Sequence, residues 1–337
     1  LQGERKDDVF GHMVLTEPSP SSSEACIMPH SFATPRRGGA RPLAALVLAL
    51  GALSACNSGD DVTAPSTQTI TQIAAETPQL STLVSALATA NLADALDGGG
   101  PFTVFAPIND GFASLPTGTV DALLTVANRP ILTELLQYHV VAGSFRAADL
   151  TDGQTLTTLA GSTLQVRVNG SDITVDGVPV ITSDIEAVNG VVHLTTGVLT
   201  EGIDLVQRAR VTPALESLVG AITAAGLEEA LAGSGTGSGL TIFAPTNQAF
   251  EALGDDLPTD PAVIAQILQL HAAADRVLAE ALSDGQQLST LSGATLTVQI
   301  EGETVRLVGP TNTVTVVTTD LRSANGVLHL VNGVLLP

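Results

Sequence analysis

The chain has 337 residues, 44% hydrophobic and 14% charged, with 34 Asp and Glu against 13 Lys and Arg and a formal net charge of −21. That much apolar material over that length can bury two cores of ordinary domain size. An acidic balance with no basic stripe excludes nucleic acid and anionic headgroups as electrostatic partners.

The charge is unevenly placed. The first 56 residues hold five acidic and five basic residues, so residues 57–337 carry 29 of the acids and eight of the bases, every one an Arg. Solubility and self-repulsion account for such a surface; weak association with divalent cations or adaptation to a salty milieu is the functional alternative.

At the N-terminus, Arg36, Arg37 and Arg41 precede an apolar run from Leu43 to Leu50 that closes on Leu53-Ser54-Ala55-Cys56. A basic stretch, a short apolar stretch and small residues before the break predict a secretory signal over 28–55, not a spanning helix. The Leu-Ser-Ala-Cys ending resembles the bacterial lipobox, which implies cleavage before Cys56 and a lipid on its sulfur. The location this implies is the bacterial cell envelope, with the outer membrane preferred to the inner. Met28 lies a suitable distance upstream, so residues 1–27 are expected to precede the true start; a genuine extension and a start at Met13 are the alternatives. Cys26 would then be lost and Cys56 thioether-linked, leaving no disulfide. Residues 56–69 are rich in Ser, Thr, Asp and Pro and read as a flexible tether, roughly 20 Å in reach.

Beyond the tether the chain repeats itself. Thr103-Val104-Phe105-Ala106-Pro107-Ile108-Asn109-Asp110-Gly111-Phe112 returns 138 positions later as Thr241-Ile242-Phe243-Ala244-Pro245-Thr246-Asn247-Gln248-Ala249-Phe250. Asn189-Gly190-Val191-Val192-His193-Leu194 returns 136 positions later as Asn325-Gly326-Val327-Leu328-His329-Leu330. Solenoid and propeller repeats run roughly 20–50 residues, so this period is a whole domain. The expected domains are 70–200 and 203–337. Only Thr200 to Asp204 separate them, which predicts a semi-rigid pair.

Each copy reads in the same order. Thr77-Pro78 and Thr212-Pro213 open apolar patterns at Leu80, Leu83, Val84, Leu87 and at Leu215, Leu218, Val219, Ile222, with Thr as N-cap and Pro at the first helical position. Val104-Phe105 and Ile242-Phe243 read as strands stopped by Pro107 and Pro245. Asn109 and Asn247 are expected to form an Asx turn or a helix cap. Phe112 and Phe250 are expected on short helices facing the core. Leu164-Gln165-Val166-Arg167-Val168 and Leu296-Thr297-Val298-Gln299-Ile300 alternate with period two, as half-buried strands do, and turn signals follow at Asn169-Gly170 and Glu301-Gly302.

These two flanking motifs, found twice in the same order, resemble those of the fasciclin domain. The resemblance covers about 66–200 and 203–337. It implies an α+β fold: two tandem domains, each a strongly bent pair of β-sheets, a β-wedge, with a packed helical layer. It also implies adhesion or macromolecule binding, with a surface protein or a glycan as partner, and no enzyme activity.

The residues supply no catalytic constellation. The Gly/Ser run at 233–239 fits neither phosphate-loop nor dinucleotide spacing and precedes a strand, so it reads as a connecting loop. Asp255, Asp256 and Asp260 lack the alternating spacing of a calcium loop and read as a helix-capping acidic loop. Four histidines follow the signal segment, in repeat-equivalent pairs: His139 with His271, and His193 with His329. None has a second His or Cys at ligand spacing, so buried, hydrogen-bonded roles are expected, with no metal and no cofactor. Small-ligand binding or an enzyme using these histidines in a cleft is the alternative.

Tyr138, the only tyrosine, and His139 are the candidate ligand-binding residues, because in the fasciclin family the Tyr-His segment is linked to receptor binding in animal adhesion proteins. Its place after Leu132, Leu135 and Leu136 reads as a half-buried aromatic at a helix-to-strand junction. In the second copy Leu270-His271-Ala272 replaces Tyr-His-Val, so any function of this segment is expected in the first domain.

Overall fold

The computed structural model describes residues 67–233, 239–254 and 258–337. The signal segment, Cys56, most of the tether, Ser234–Ser238 and Asp255–Leu257 lie outside the described residues.

The first repeat runs α1 (Ile70–Glu76), α2 (Ser81–Ala90), α3 (Ala93–Asp97), β1 (Phe102–Pro107), α4 (Asn109–Ala113), α5 (Thr119–Leu123), α6 (Arg129–Tyr138), β2 (Val140–Ala142), β3 (Thr155–Thr157), β4 (Thr163–Asn169), β5 (Asp172–Val175), β6 (Val178–Ala187) and β7 (Gly190–Thr195). The second runs α7 (Leu205–Arg210), α8 (Glu216–Ala225), α9 (Glu228–Ala232), β8 (Leu240–Pro245), α10 (Asn247–Glu251), α11 (Pro261–Leu270), β9 (Ala272–Ala273), β10 (Gln287–Ser289), β11 (Thr295–Glu301), β12 (Thr304–Val308), β13 (Thr313–Ser323) and β14 (Gly326–Val331). Each repeat builds one seven-stranded sheet, in the orders β2-β1-β7-β6-β5-β4-β3 and β10-β11-β12-β13-β14-β8-β9.

The bend comes from β6 and β13. Their pairing with β7 and β14 slips register twice, between Val180 and Ile185 and between Val316 and Leu321. Bulges of this kind bend a strand and raise its twist. Asp184 and Asp320 stand within these slips at a φ of 60°. Single bridges, Val141 to Thr158 and Ala273 to Thr290, join opposite ends of each sheet, so the sheet curls towards a barrel. The two sheets of the wedge are thus one sheet, continuous through its bulged strand.

Alternation along β1 explains the repeated motif. Val104 and Ala106 belong to the core between sheet and helices, whereas Phe105 belongs to a second core inside the curl, with Leu164, Val166 and Val175. Ile242, Ala244 and Phe243 divide in the same way. Period-two side-chain placement lets one strand serve both cores. Strand β7 lies parallel to β1 in the register Phe105 to His193, as β14 lies against β8 with Phe243 opposite His329. The glycines of the Asn-Gly motif permit this: a Cβ at Gly190 or Gly326 would overlap the carbonyl of Phe102 or Leu240.

Three expectations need correction. Thr77 and Thr212 cap no helix with their side chains; each hydroxyl donates back to the carbonyl four residues earlier, Ile73 at 2.7 Å and Arg208 at 2.8 Å. Pro78 and Pro213 open 3₁₀ turns that lead into α2 and α8. The helix caps come from the asparagines of the other motif. Asn109 Oδ1 accepts the Thr82 N–H at 3.0 Å while its Nδ2 donates to the Pro78 carbonyl, and Asn247 does the same for Ser217 and Pro213. They therefore cap not their own short helices but α2 and α8, about 30 residues upstream. Finally, Phe112 is buried, but Phe250 is only partly covered. Phe250 lines an apolar groove of about 340 Å³ with Ala221, Leu253, Ile264 and Leu268.

Candidate functional site

Each repeat holds its two histidines in matching places. His139 ends α6; its Nδ1–H donates to the Leu135 carbonyl at 2.7 Å and its Nε2 accepts the Leu199 N–H at 2.9 Å. His271 makes the same pair with Ile267 and Leu335, at 2.8 and 2.9 Å. Both rings tie a helix end to the segment after the last strand. Burial lowers the pKa of each to about 4, so both are neutral at physiological pH and both nitrogens are committed to backbone.

His193 and His329 lie in β7 and β14. Their Nε2–H groups donate to the Phe145 and Val277 carbonyls, each at 2.8 Å. Their Nδ1 atoms accept the backbone N–H of Asp184 and Asp320, each at 3.3 Å. Burial lowers both pKa values, against the opposing pull of those carbonyls and of the two aspartates. The rings stack on Phe105 and Phe243, with centroids 5.4 and 5.6 Å apart. Each histidine therefore clips a bulged strand and a loop to the central strand pair. Among the described residues no three His, Cys, Asp or Glu side chains group as metal ligands.

Tyr138 is buried, 2% exposed, not half-buried as its position suggested. Its ring lies under the inter-repeat segment, where a Cβ on Gly202 would overlap it. Its hydroxyl donates to Asp176 Oδ2 at 2.7 Å and lies 3.2 Å from the Thr163 carbonyl. Burial and the Asp176 charge push the phenol pKa up, while burial also raises the Asp176 carboxyl.

A second carboxylate stands close by. Glu201 pairs with Arg276 at 2.8 Å and faces Arg322 at 3.8 Å, both from the second repeat. Burial raises the Glu201 pKa, with Arg276 pulling it back. Tyr138, Asp176, Glu201, Arg276 and Arg322 thus form a polar junction between the repeats. Of these, sequence reasoning singled out only Tyr138, because the partners lie 38 to 184 positions away.

Asp260 caps α11, accepting the Ala262 N–H at 2.9 Å; Asp255 and Asp256 lie outside the described residues. No helix among the described residues is long and apolar enough to cross a membrane.

Arg208 was missed altogether. It is 3% exposed, and its Nε has no hydrogen-bond partner. The signal was available in the repeat: Leu205 and Ile70 both donate their N–H to the motif asparagine, Asn325 or Asn189. That equivalence aligns Arg208 with Ile73.

Two copies of one α+β domain, each with a curled seven-stranded sheet, a helical layer and the same buried histidine pair, define a tandem two-domain protein built on one module. The Fasciclin domain model matches residues 78–201 and 213–337, and the chain belongs to that family. Among its relatives, Protein sll1483 of Synechocystis is 44% identical over 134 residues, spanning 40% of this chain and 74% of the relative. Transforming growth factor-beta-induced protein ig-h3 of Sus scrofa is 32% identical over 257 residues, 74% of this chain but 36% of its own length. The chain therefore spans about a third of that relative. The solved FAS1 domain pair from the insect cell adhesion molecule Fasciclin I aligns over 77% of this chain and 97% of its own, at 19% identity and a TM-score of 0.38.

Proposed function

We propose that the chain is a non-enzymatic, lipid-anchored protein of the bacterial cell envelope that binds a surface protein or a glycan through its tandem fasciclin domains. The observation carrying this reading is that all four described histidines spend both ring nitrogens on backbone groups and are buried. Among the described residues no imidazole is left to act as base, acid or metal ligand. Tyr138 and His139 contribute to recognition by holding the surface above them, since neither reaches solvent. Cys56 supplies the anchor, and lipid chains at about 0.8 kcal/mol per buried methylene make it stable.

A glycan array and a panel of envelope proteins probed with the full chain test the binding reading, which expects saturable binding without turnover of the ligand. Membrane fractionation tests the anchor: Cys56→Ser should release the protein or stall its processing. Wild-type protein found wholly in the soluble fraction would remove the anchor from the proposal.

A further inference from the structure

Between the two repeats lies a cavity of about 650 Å³, within the usual range of small-molecule sites. The first repeat and the connecting segment contribute Pro116 and Val198; the second contributes Thr318, Thr319, Leu321 and Leu330. Arg208 of α7 also lines it.

Among the described residues that arginine has no ion-pair partner. Arg146, Arg210, Arg276, Arg306 and Arg322 each stand within 4.0 Å of a carboxylate, with the nearest oxygen at 2.8, 2.6, 2.8, 3.1 and 3.8 Å respectively. Arg208 takes part in none of these ion pairs, and its buried Nε donates to nothing. Burial pulls its pKa down to about 10, which still leaves the guanidinium protonated at neutral pH. A buried charge is ordinarily paired, because desolvating it is costly. The repeat sharpens the point, since the equivalent Ile73 fills the same helix position with an apolar side chain. Packing alone therefore does not call for arginine here.

Asp320 also lines the cavity but is otherwise engaged. Its Oδ1 accepts the Ala279 N–H at 2.9 Å and stands 4.0 Å from His329 Nδ1. The remaining wall offers hydroxyls beside apolar surface.

We infer that this inter-repeat cavity binds a small organic carboxylate with an apolar body, its carboxylate paired with Arg208. A planar guanidinium with free N–H donors matches a carboxylate in geometry and charge. The apolar body lies against Val198, Leu321 and Leu330. Because both repeats build the wall, an occupied site holds them together.

Calorimetric titration of the full chain with hexanoate and benzoate, and with hexanamide and benzamide as uncharged counterparts, tests the inference. Saturable one-to-one binding of the acids is expected, with the amides weaker by about tenfold or more, because the buried guanidinium discriminates by charge. Arg208→Gln should lose at least about tenfold in carboxylate affinity. Since a change at a buried position can disturb folding, Thr319→Trp, at an exposed position on the cavity wall, provides a second variant. It should block carboxylate binding without altering the melting temperature of the free protein. In the wild type, hexanoate should move one arginine Nε–H resonance, the one missing from Arg208→Gln. Equal affinity for acids and amides, no saturable binding of either acid, or unchanged binding in a folded Arg208→Gln protein would overturn the inference. None of these results bears on the anchor or on the macromolecular ligand.

Discussion

A histidine that stays neutral in the folded domain but protonates in the unfolded chain makes stability depend on pH. His139 and His271 are held at about 4 by burial, against about 6.5 for an unfolded histidine. Above pH 6.5 neither state binds the proton. As the pH falls from 6.5 to 4 the unfolded chain takes up protons that the folded domain refuses, so stability is lost across that window, about 3 kcal/mol per histidine. His193 and His329 shift in the same direction. Asp176 and Glu201, raised by burial, titrate with the opposite sign, so a variant is needed to isolate the histidine contribution. His139→Ala should lower stability at pH 7 by about 1–3 kcal/mol, because the Leu199 N–H and Leu135 carbonyl lose their partner. It should also flatten the acid dependence between pH 6.5 and 4. Thermal melts of both proteins across that range would check this; identical slopes would contradict it.

At the scale of the elements, the asparagine four positions after the strand Phe of each motif, Asn109 or Asn247, fastens one helix to the end of another. Asn247→Ala removes the acceptor for the α8 N-terminus and the donor to Pro213, and should cost about 1–2 kcal/mol. Asn247→Asp keeps the acceptor alone and should fall between. Denaturant titration would rank the three proteins, and an Asp variant no better than Ala would show that the cap bond contributes nothing. The two motif phenylalanines separate in the same way. Phe112→Ala empties a buried site and should cost about 3–5 kcal/mol, whereas Phe250→Ala should cost clearly less, because Phe250 already borders an open groove. Equal losses from the two would place Phe250 in a closed core.

For the whole molecule, the inter-repeat segment decides how the two modules sit. Ile203 accepts the Ala324 N–H at 2.7 Å, Gln207 donates to Glu134 at 2.8 Å, and Glu201 holds Arg276. Gly202 matters because any Cβ there meets the Tyr138 ring. Gly202→Val should push the segment off the ring and loosen the pair. The expected readouts are a larger radius of gyration in small-angle scattering and faster proteolysis between residues 200 and 204. Glu201→Gln, which keeps a hydrogen bond but loses the charge, should act in the same direction and more weakly. A scattering profile unchanged by Gly202→Val would mean that other contacts fix the arrangement.

Much of this was legible in the chain itself. The repeated motifs, the strand alternation around Phe105 and Val166, the turn signals and the family are encoded locally, because a strand's faces and a turn's dihedrals depend on residues a few positions apart. The equivalence of Arg208 with Ile73 was also within reach, through the offset between copies. What the sequence did not determine depends on groups far apart along the chain. Asn109 caps a helix that begins 28 positions earlier, Tyr138 is closed over by Gly202, and Glu201 finds Arg276 in the next repeat. Whether an arginine is paired, or a tyrosine reaches water, is set by which distant surfaces meet. Only the packing of the two repeats decided that Tyr138 is enclosed and that Arg208 faces a cavity without a carboxylate of its own.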